Sequence, residues 1–249
     1  MAIERFPMDP TTSHYPLQIT GHLSQQLSRG LWLVKWLLLI PHFIVLLVLG
    51  IGFVGVTTVA FFAILATGRY PKKLFEYNVG VLRWSWRVGF YGYSALGTDN
   101  YPPFTLRDVP DYPARLRVPY PESLSRRLVL VKWWLLAIPH YLVVAVFAGG
   151  AGGLWTDQVL PVPLWTSGGL IGLLACFAGV MLLFSGRYPR SIYDFILGMN
   201  RWVFRVVVYA TLMTDEYPPF RLDMGGDEPP VNTEPPWHLC RRSAQGVAS

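Results

Sequence analysis

The sequence predicts an all-α membrane protein of two tandem repeats, each a transmembrane helical hairpin plus an interfacial amphipathic helix, with short cytoplasmic β-strands. Three observations point there: long apolar runs in a chain with few charges, a set of motifs that occurs twice in the same order, and basic residues confined to the flanks of the apolar runs.

The chain has 249 residues, 52% hydrophobic and only 14% charged. Soluble domains average about 25% charged residues, so much of this surface is expected to face something other than water. Ten Trp, 13 Tyr and 14 Phe suit the two membrane interfaces. The net charge of +6 is interleaved with apolar runs, which predicts membrane lipid headgroups as a partner and not nucleic acid. Cys176 lies in an apolar run and Cys240 in a polar tail. That contrast argues against a disulfide, and no metal-type cysteine cluster exists. The first 30 residues are polar and contain Pro7, Pro10 and Pro16. They lack the order of a signal peptide, so the first apolar run is expected to be an uncleaved anchor.

Self-comparison defines the units. Ser28 to Trp36 matches Ser125 to Trp133, and both lead to Ile-Pro-His, at Ile40-Pro41-His42 and Ile138-Pro139-His140. Gly68-Arg69-Tyr70-Pro71 recurs as Gly186-Arg187-Tyr188-Pro189. Gly80, Arg83, Trp84 and Arg87 recur as Gly198, Arg201, Trp202 and Arg205. Each unit opens on Tyr-Pro (Tyr15, Tyr112) and closes on Thr-Asp-X-Tyr-Pro-Pro-Phe-X-Leu, at Thr98–Leu106 and Thr214–Leu222. The units are therefore 15–106 and 112–222, between an N-terminal cytoplasmic tail (1–14) and a disordered, Pro-rich tail (223–249) whose Trp237 is a candidate contact residue.

Pro41 and Gly68 are 27 residues apart, whereas Pro139 and Gly186 are 47 apart. An insertion of about 20 residues, with Trp155, Asp157, Pro161 and Pro163, belongs in a loop. The expectation is two spans per unit: 29–49 and 53–67 with a turn near Gly50-Ile51-Gly52, then 126–149 and 167–185. None of the 21 Lys and Arg falls between 36 and 68 or between 133 and 186. The positive-inside rule then places the turns outside and both termini in the cytoplasm, with the copies related by an axis along the membrane normal. A rival topology, with 71–95 and 189–213 also spanning, inverts the second copy and exports Arg107, Arg115, Arg117, Arg126 and Arg127.

Gly68 is expected to end one helix and Pro71 to begin the next. Helices 71–95 and 189–213 carry a charged stripe at 100° per residue: Lys72, Glu76, Gly80, Arg83, Arg87, and Arg190, Asp194, Gly198, Arg201, Arg205. Two readings stand: a solvated face anchored by Trp, or an anionic-lipid site in which Arg83, Arg87, Arg201 and Arg205 hold phosphate bidentately. His42 and His140 are intramembrane polar residues. Either they satisfy backbone freed by the preceding Pro, or they meet across the pseudo-two-fold as metal or haem ligands. The former is preferred, so no metal and no cofactor is expected. Lys35 and Lys132 are expected to snorkel, and Asp99 and Asp215 to serve as turn residues. Segments 16–20, 102–107, 113–118 and 218–222 read as short strands, with Tyr101 and Tyr217 packed on them.

The order Lys35-Trp36, Pro41-His42, Gly68 to Pro71, Arg83-Trp84 with Arg87, and Tyr101 to Phe104, repeated in the second copy, resembles a bacterial membrane family catalogued as domain of unknown function 4389. The resemblance implies the bacterial cytoplasmic membrane and brings no catalytic residues. No Ser-His-Asp order, zinc motif, phosphate loop or carboxylate pair is present to suggest an enzyme. The function expected is a non-enzymatic scaffold or accessory subunit of a membrane complex with protein partners. The alternative is a lipid-binding or lipid/small-solute transport protein using the arginine stripes.

Overall fold

The apolar run that follows Val34 forms a single helix. In a computed structural model, which describes residues 15–149 and 169–225, helix α1 runs unbroken from Lys35 to Thr67, with Pro41 inside it. Its 33 residues extend about 50 Å, and it is long and apolar enough to cross a membrane. The hairpin expected from 29–49 and 53–67 is therefore replaced by one rod. Gly50 and Gly52 do not turn the chain. Gly50 is buried, and Gly52 makes room for the Tyr77 hydroxyl, which donates to the Leu49 carbonyl at 3.1 Å. With no Pro and no polar residue beside them, these glycines cost some helix propensity but nothing stops the helix. It ends at Gly68, whose φ of 73° is left-handed and whose N–H donates to Ile64 O.

The second copy builds the same rod in pieces. Helix α3 (Arg126–Val131) passes through a π-helical turn (Lys132–Leu136) into α4 (Ile138–Ala148). The π turn has a cause in the sequence. Lys132 to Pro139 contains one residue more than Lys35 to Pro41, and the π turn absorbs it, although the helix breaks at Ala137 and bends there by 48°. Helix α5 (Leu170–Ser185) then starts where α4 stopped, with Gly169 abutting Phe147 and Gly149. Both run antiparallel to α6 (Arg190–Ala210). The start of the α3–α4 rod lies by α6's C-terminal end, where Tyr217 reaches Leu136, and α5 turns directly into α6's N-terminus. Hence α4 and α5 point the same way, end to end. Buried Ile171, Ala175, Ala178 and Leu182 repeat the positions of Phe53, Thr57, Ala60 and Ile64. The hairpin of 126–149 and 167–185 is corrected as well: the extra residues enter at one point along a helix. Residues 150–168, which include the expected loop, and the tails 1–14 and 226–249 lie outside the described residues. Deleting residues 150–169 to join Gly149 to Leu170 should leave the helix content intact. Tm should move by less than about 4 °C, roughly 1 kcal/mol at this size. Loss of cooperative melting would refute the end-to-end arrangement.

Helices α2 (Lys72–Tyr91) and α6 are buried, not interfacial. Each is covered on two faces. Tyr77, Trp84 and Tyr91 of α2 meet α1, while on roughly the opposite side Arg83 and Trp86 meet the strands β1 (Gln18–Gly21) and β2 (Ala114–Arg117). The strands pair antiparallel with Ile19 opposite Leu116. These two residues occupy equivalent places after Tyr15 and Tyr112, so a pseudo-two-fold axis passes through the pair, perpendicular to the strands. Trp86 touches its own counterpart Phe204 across the same axis. The result is three layers: two apolar rods, two amphipathic helices, and a strand pair. One core contains Phe53, Phe75 and Trp86 of the first copy with Ile171, Leu197 and Phe204 of the second. The expected strands at 102–107 and 218–222 do not form. Those segments are irregular: Arg87 takes the carbonyls of Thr105 and Arg107 in the first, and Arg201 takes the carbonyl of Asp223 just beyond the second.

Candidate functional site

Lys35, Thr98 and Asp99 with His42 and Trp84, and their second-copy counterparts, form two equivalent clusters. In the first, Lys35 is almost fully buried at the start of α1. Its ammonium donates to Thr98 O at 2.6 Å, pairs with Asp99 Oδ1 at 2.9 Å and lies over the Tyr91 ring. The other Asp99 oxygen accepts the Ser28 N–H at 2.6 Å. In the second, Lys132 donates to Thr214 O at 2.9 Å, pairs with Asp215 Oδ1 at 2.7 Å and lies over Tyr209, while Asp215 Oδ2 accepts the Ser125 N–H at 2.6 Å. The lysines therefore do not snorkel, because a carboxylate and a carbonyl are within reach inside. The aspartates are their counterions as well as helix-start acceptors. Leu96 and Leu212, both left-handed, turn the chain just before each Thr-Asp.

Two turns further along each rod, His42 Nδ1 accepts the Trp84 indole N–H at 3.0 Å, and His140 Nδ1 accepts that of Trp202 at 3.2 Å. The imidazoles stack on Phe104 (3.9 Å between centroids) and Phe220 (4.3 Å). Each histidine is buried in its own copy, with Nε2 lacking a hydrogen-bond partner. They do not meet across the axis, and no group of three metal-binding side chains occurs among the described residues. Nor do they satisfy the backbone near the prolines. Tyr101 and Tyr217 do that, donating to Leu38 O (3.0 Å) and Leu136 O (3.2 Å). These tyrosines pack on the histidines and not on a sheet.

The arginine stripe is also turned inward. Arg87, Arg201 and Arg205 are about 2% exposed or less. Arg87 donates to the carbonyls of Arg107 (2.9 Å) and Thr105. Arg201 donates to Ile19 O (3.0 Å) and Asp223 O (2.7 Å), and Arg205 pairs with the Asp223 carboxylate at 2.5 Å. Asp223 thus belongs to the fold and not to the tail. Arg83, half-buried, donates to Leu116 O at 3.0 Å. A guanidinium has five donors and no acceptor, which suits it to gathering carbonyls left without strand partners. Burial pulls Arg83 and Arg87 below the ordinary arginine pKa.

The clamps are crossed. Arg83 of the first copy holds the strand that opens the second, and Arg201 of the second holds the strand that opens the first. Tyr15 likewise donates to Arg205 O, and Tyr112 to Arg87 O. Neither copy is therefore a separable unit. Sequence periodicity put the arginines on one stripe correctly. It missed their partners, although the recurrence of Lys with Thr-Asp, and of Trp with Pro-His, carried a signal of pairing.

On the strand side, Asp108 pairs with Arg115 at 2.8 Å and approaches Arg117 at 3.7 Å. Burial raises its pKa, but the hydrogen bond from Arg115 and the charges of Arg115, Arg83 and Arg117 outweigh that and hold it below the usual carboxylate value. A depressed pKa contributes stability above the unfolded value of about 3.9, lost as pH falls through the folded value. Asp108→Asn should flatten the acid limb of the stability curve below about pH 4. An unchanged acid limb would refute the assignment. Beside this group, a cavity of about 320 Å³ is lined by Lys72, Phe75, Glu76, Val79, Arg83, Val118 and Tyr120.

Neither a curated protein nor a solved structure matches this sequence. Residues 29–105 and 162–221 match the family described as "Domain of unknown function (DUF4389)". These segments span more than half of the chain and fall one in each copy, so the chain belongs to the DUF4389 family and carries its domain twice.

Proposed function

We propose that this protein is a membrane-embedded, non-enzymatic scaffold or accessory subunit of a membrane complex, at the bacterial cytoplasmic membrane with both termini on the cytoplasmic side. The observation that carries this reading is where the recurring polar groups go. Lys35, Asp99, Trp84, Arg87 and their second-copy counterparts bind the chain's own groups. The duplicated motifs thereby build a locked frame with one apolar and one polar face. Such a frame suits holding partners at a membrane. The polar face, with Asp108, Arg115 and Arg117, is the surface on offer to them.

The cavity at Lys72, Arg83 and Tyr120 favours a second reading, in which an anionic lipid headgroup docks there. Of the four stripe arginines, Arg83 is the one that lines it. Copurification from native membranes in gentle detergent, with mass spectrometry of proteins and lipids, separates the two. A recurring stoichiometric protein partner supports the scaffold. Anionic lipid that is retained by the native chain and lost from Arg83→Glu supports the lipid reading. The chain recovered alone and free of lipid refutes both.

A further inference from the structure

The layering has a consequence for how the protein meets the bilayer. At 100° per residue, the buried face of α1 (Leu39, His42, Leu46, Phe53, Ala60, Ile64) lies opposite an exposed face that includes Ile44, Val48 and Ile51 and whose Thr58 hydroxyl bonds back to Val54 O. Helices α4 and α5 expose Leu142, Leu173 and Phe184 in the same way. The two rods run antiparallel. Trp32 at the start of α1 packs on Gly179 near the end of α5, and Gly68 at the end of α1 bonds Leu124 just before α3. The pseudo-two-fold axis is perpendicular to the strands and relates these antiparallel rods, so it passes through all three layers.

If antiparallel rods related by that axis crossed the membrane, the axis would lie in the midplane. Leu116 sits on the axis, so its neighbours Arg115 and Arg117 would then lie at mid-bilayer. The Arg117 side chain is 57% exposed, and charged side chains at that depth are costly and rare. A crossing rod would also overhang the roughly 30 Å hydrocarbon core. With the axis along the membrane normal, neither conflict arises. Both rods lie flat, their apolar faces meet acyl chains, and the strand layer faces water. All four rod ends then share one rim. Exposed cations mark every end: Arg69, Lys72 and Arg126 where α1 meets α3, and Arg29, Arg187 and Arg190 where the first rod's start meets α5.

We infer that this protein is monotopic, resting on one anionic leaflet with α1 and the α3–α5 rod along the membrane plane and the rim cations on lipid phosphates. This rests on the membrane reading above and replaces its spans with a flat insertion. It also explains why every described basic residue lies outside the apolar rods' centres without requiring any segment to cross.

The test is cysteine accessibility of the full chain in right-side-out and inverted membrane vesicles, in a Cys176→Ser, Cys240→Ser background. Single cysteines replace Gln26, Thr67, Ser123 and Ser185 at the four rod ends and Ile51 at mid-rod. The expected result is that a membrane-impermeant maleimide labels all four ends from the cytoplasmic face only, and Ile51→Cys from neither face until detergent is added. Ends 26 and 185 labelling opposite to 67 and 123 would show crossing rods and overturn the inference. Outside labelling of Ile51→Cys would show hairpins and overturn it too. Release of the chain by alkaline carbonate would overturn the inference together with the membrane reading, whereas the two labelling failures leave that reading standing.

Discussion

Asp215→Ala is expected to lower unfolding stability by about 3–5 kcal/mol, the cost of leaving a buried charge without its counterion. Lys132 is fully buried, and among the described residues its ion pair is with Asp215. The substitution also frees the Ser125 N–H that Asp215 accepts, so the start of the second rod loses its tie to the Thr-Asp segment. Asp99→Ala should behave in the same way through Lys35. The cause is separable from simple loss of a contact. Adding Lys132→Met to Asp215→Ala removes the orphaned charge and should recover most of the loss, because an apolar pair of similar volume is often as stable as the ions it replaces. Denaturant unfolding in mild detergent measures both. A single-substitution effect below about 1 kcal/mol, the scale of an exposed ion pair, would mean that the Lys132 ammonium reaches water.

Arg201→Met should produce the second large effect, with a spatial signature. Its guanidinium satisfies carbonyls at Ile19 and Asp223, and each buried acceptor left unpaired costs about 1–3 kcal/mol. The total expected is about 3 kcal/mol, below the sum because the strand relaxes. Backbone exchange should rise most at residues 17–24, some 180 positions away in sequence, and by less at 114–118, which pairs with them. Arg83→Met should do the reverse, loosening 114–118. Hydrogen exchange read by peptide mass spectrometry resolves these segments. Protection lost beside the substituted residue but retained in the distant strand would show that the clamps are not crossed.

Much of the architecture could be read along the chain. Repetition located the two copies, because the same residues in the same order need the same surroundings. Gly68 with Pro71, and Gly186 with Pro189, marked helix boundaries, because a left-handed stop and a proline start are local backbone effects. The stripe of Arg83 and Arg87 was visible because helical periodicity is local too. Partners across space were not. An arginine reads alike whether it meets a phosphate or a carbonyl, and only the irregular segments folding back over α2 and α6 decided for the carbonyl. The unequal gap after Ile-Pro-His was equally ambiguous. Composition allows an extra loop between two helices or within one, and the direction of α4 and α5 along α6 decided for the second. Sequence by itself determined duplication, apolar rods and which residues recur. Tertiary structure alone decided that the recurring polar residues lock the copies crosswise, because a buried charge or carbonyl must find a partner wherever the chain's path brings one.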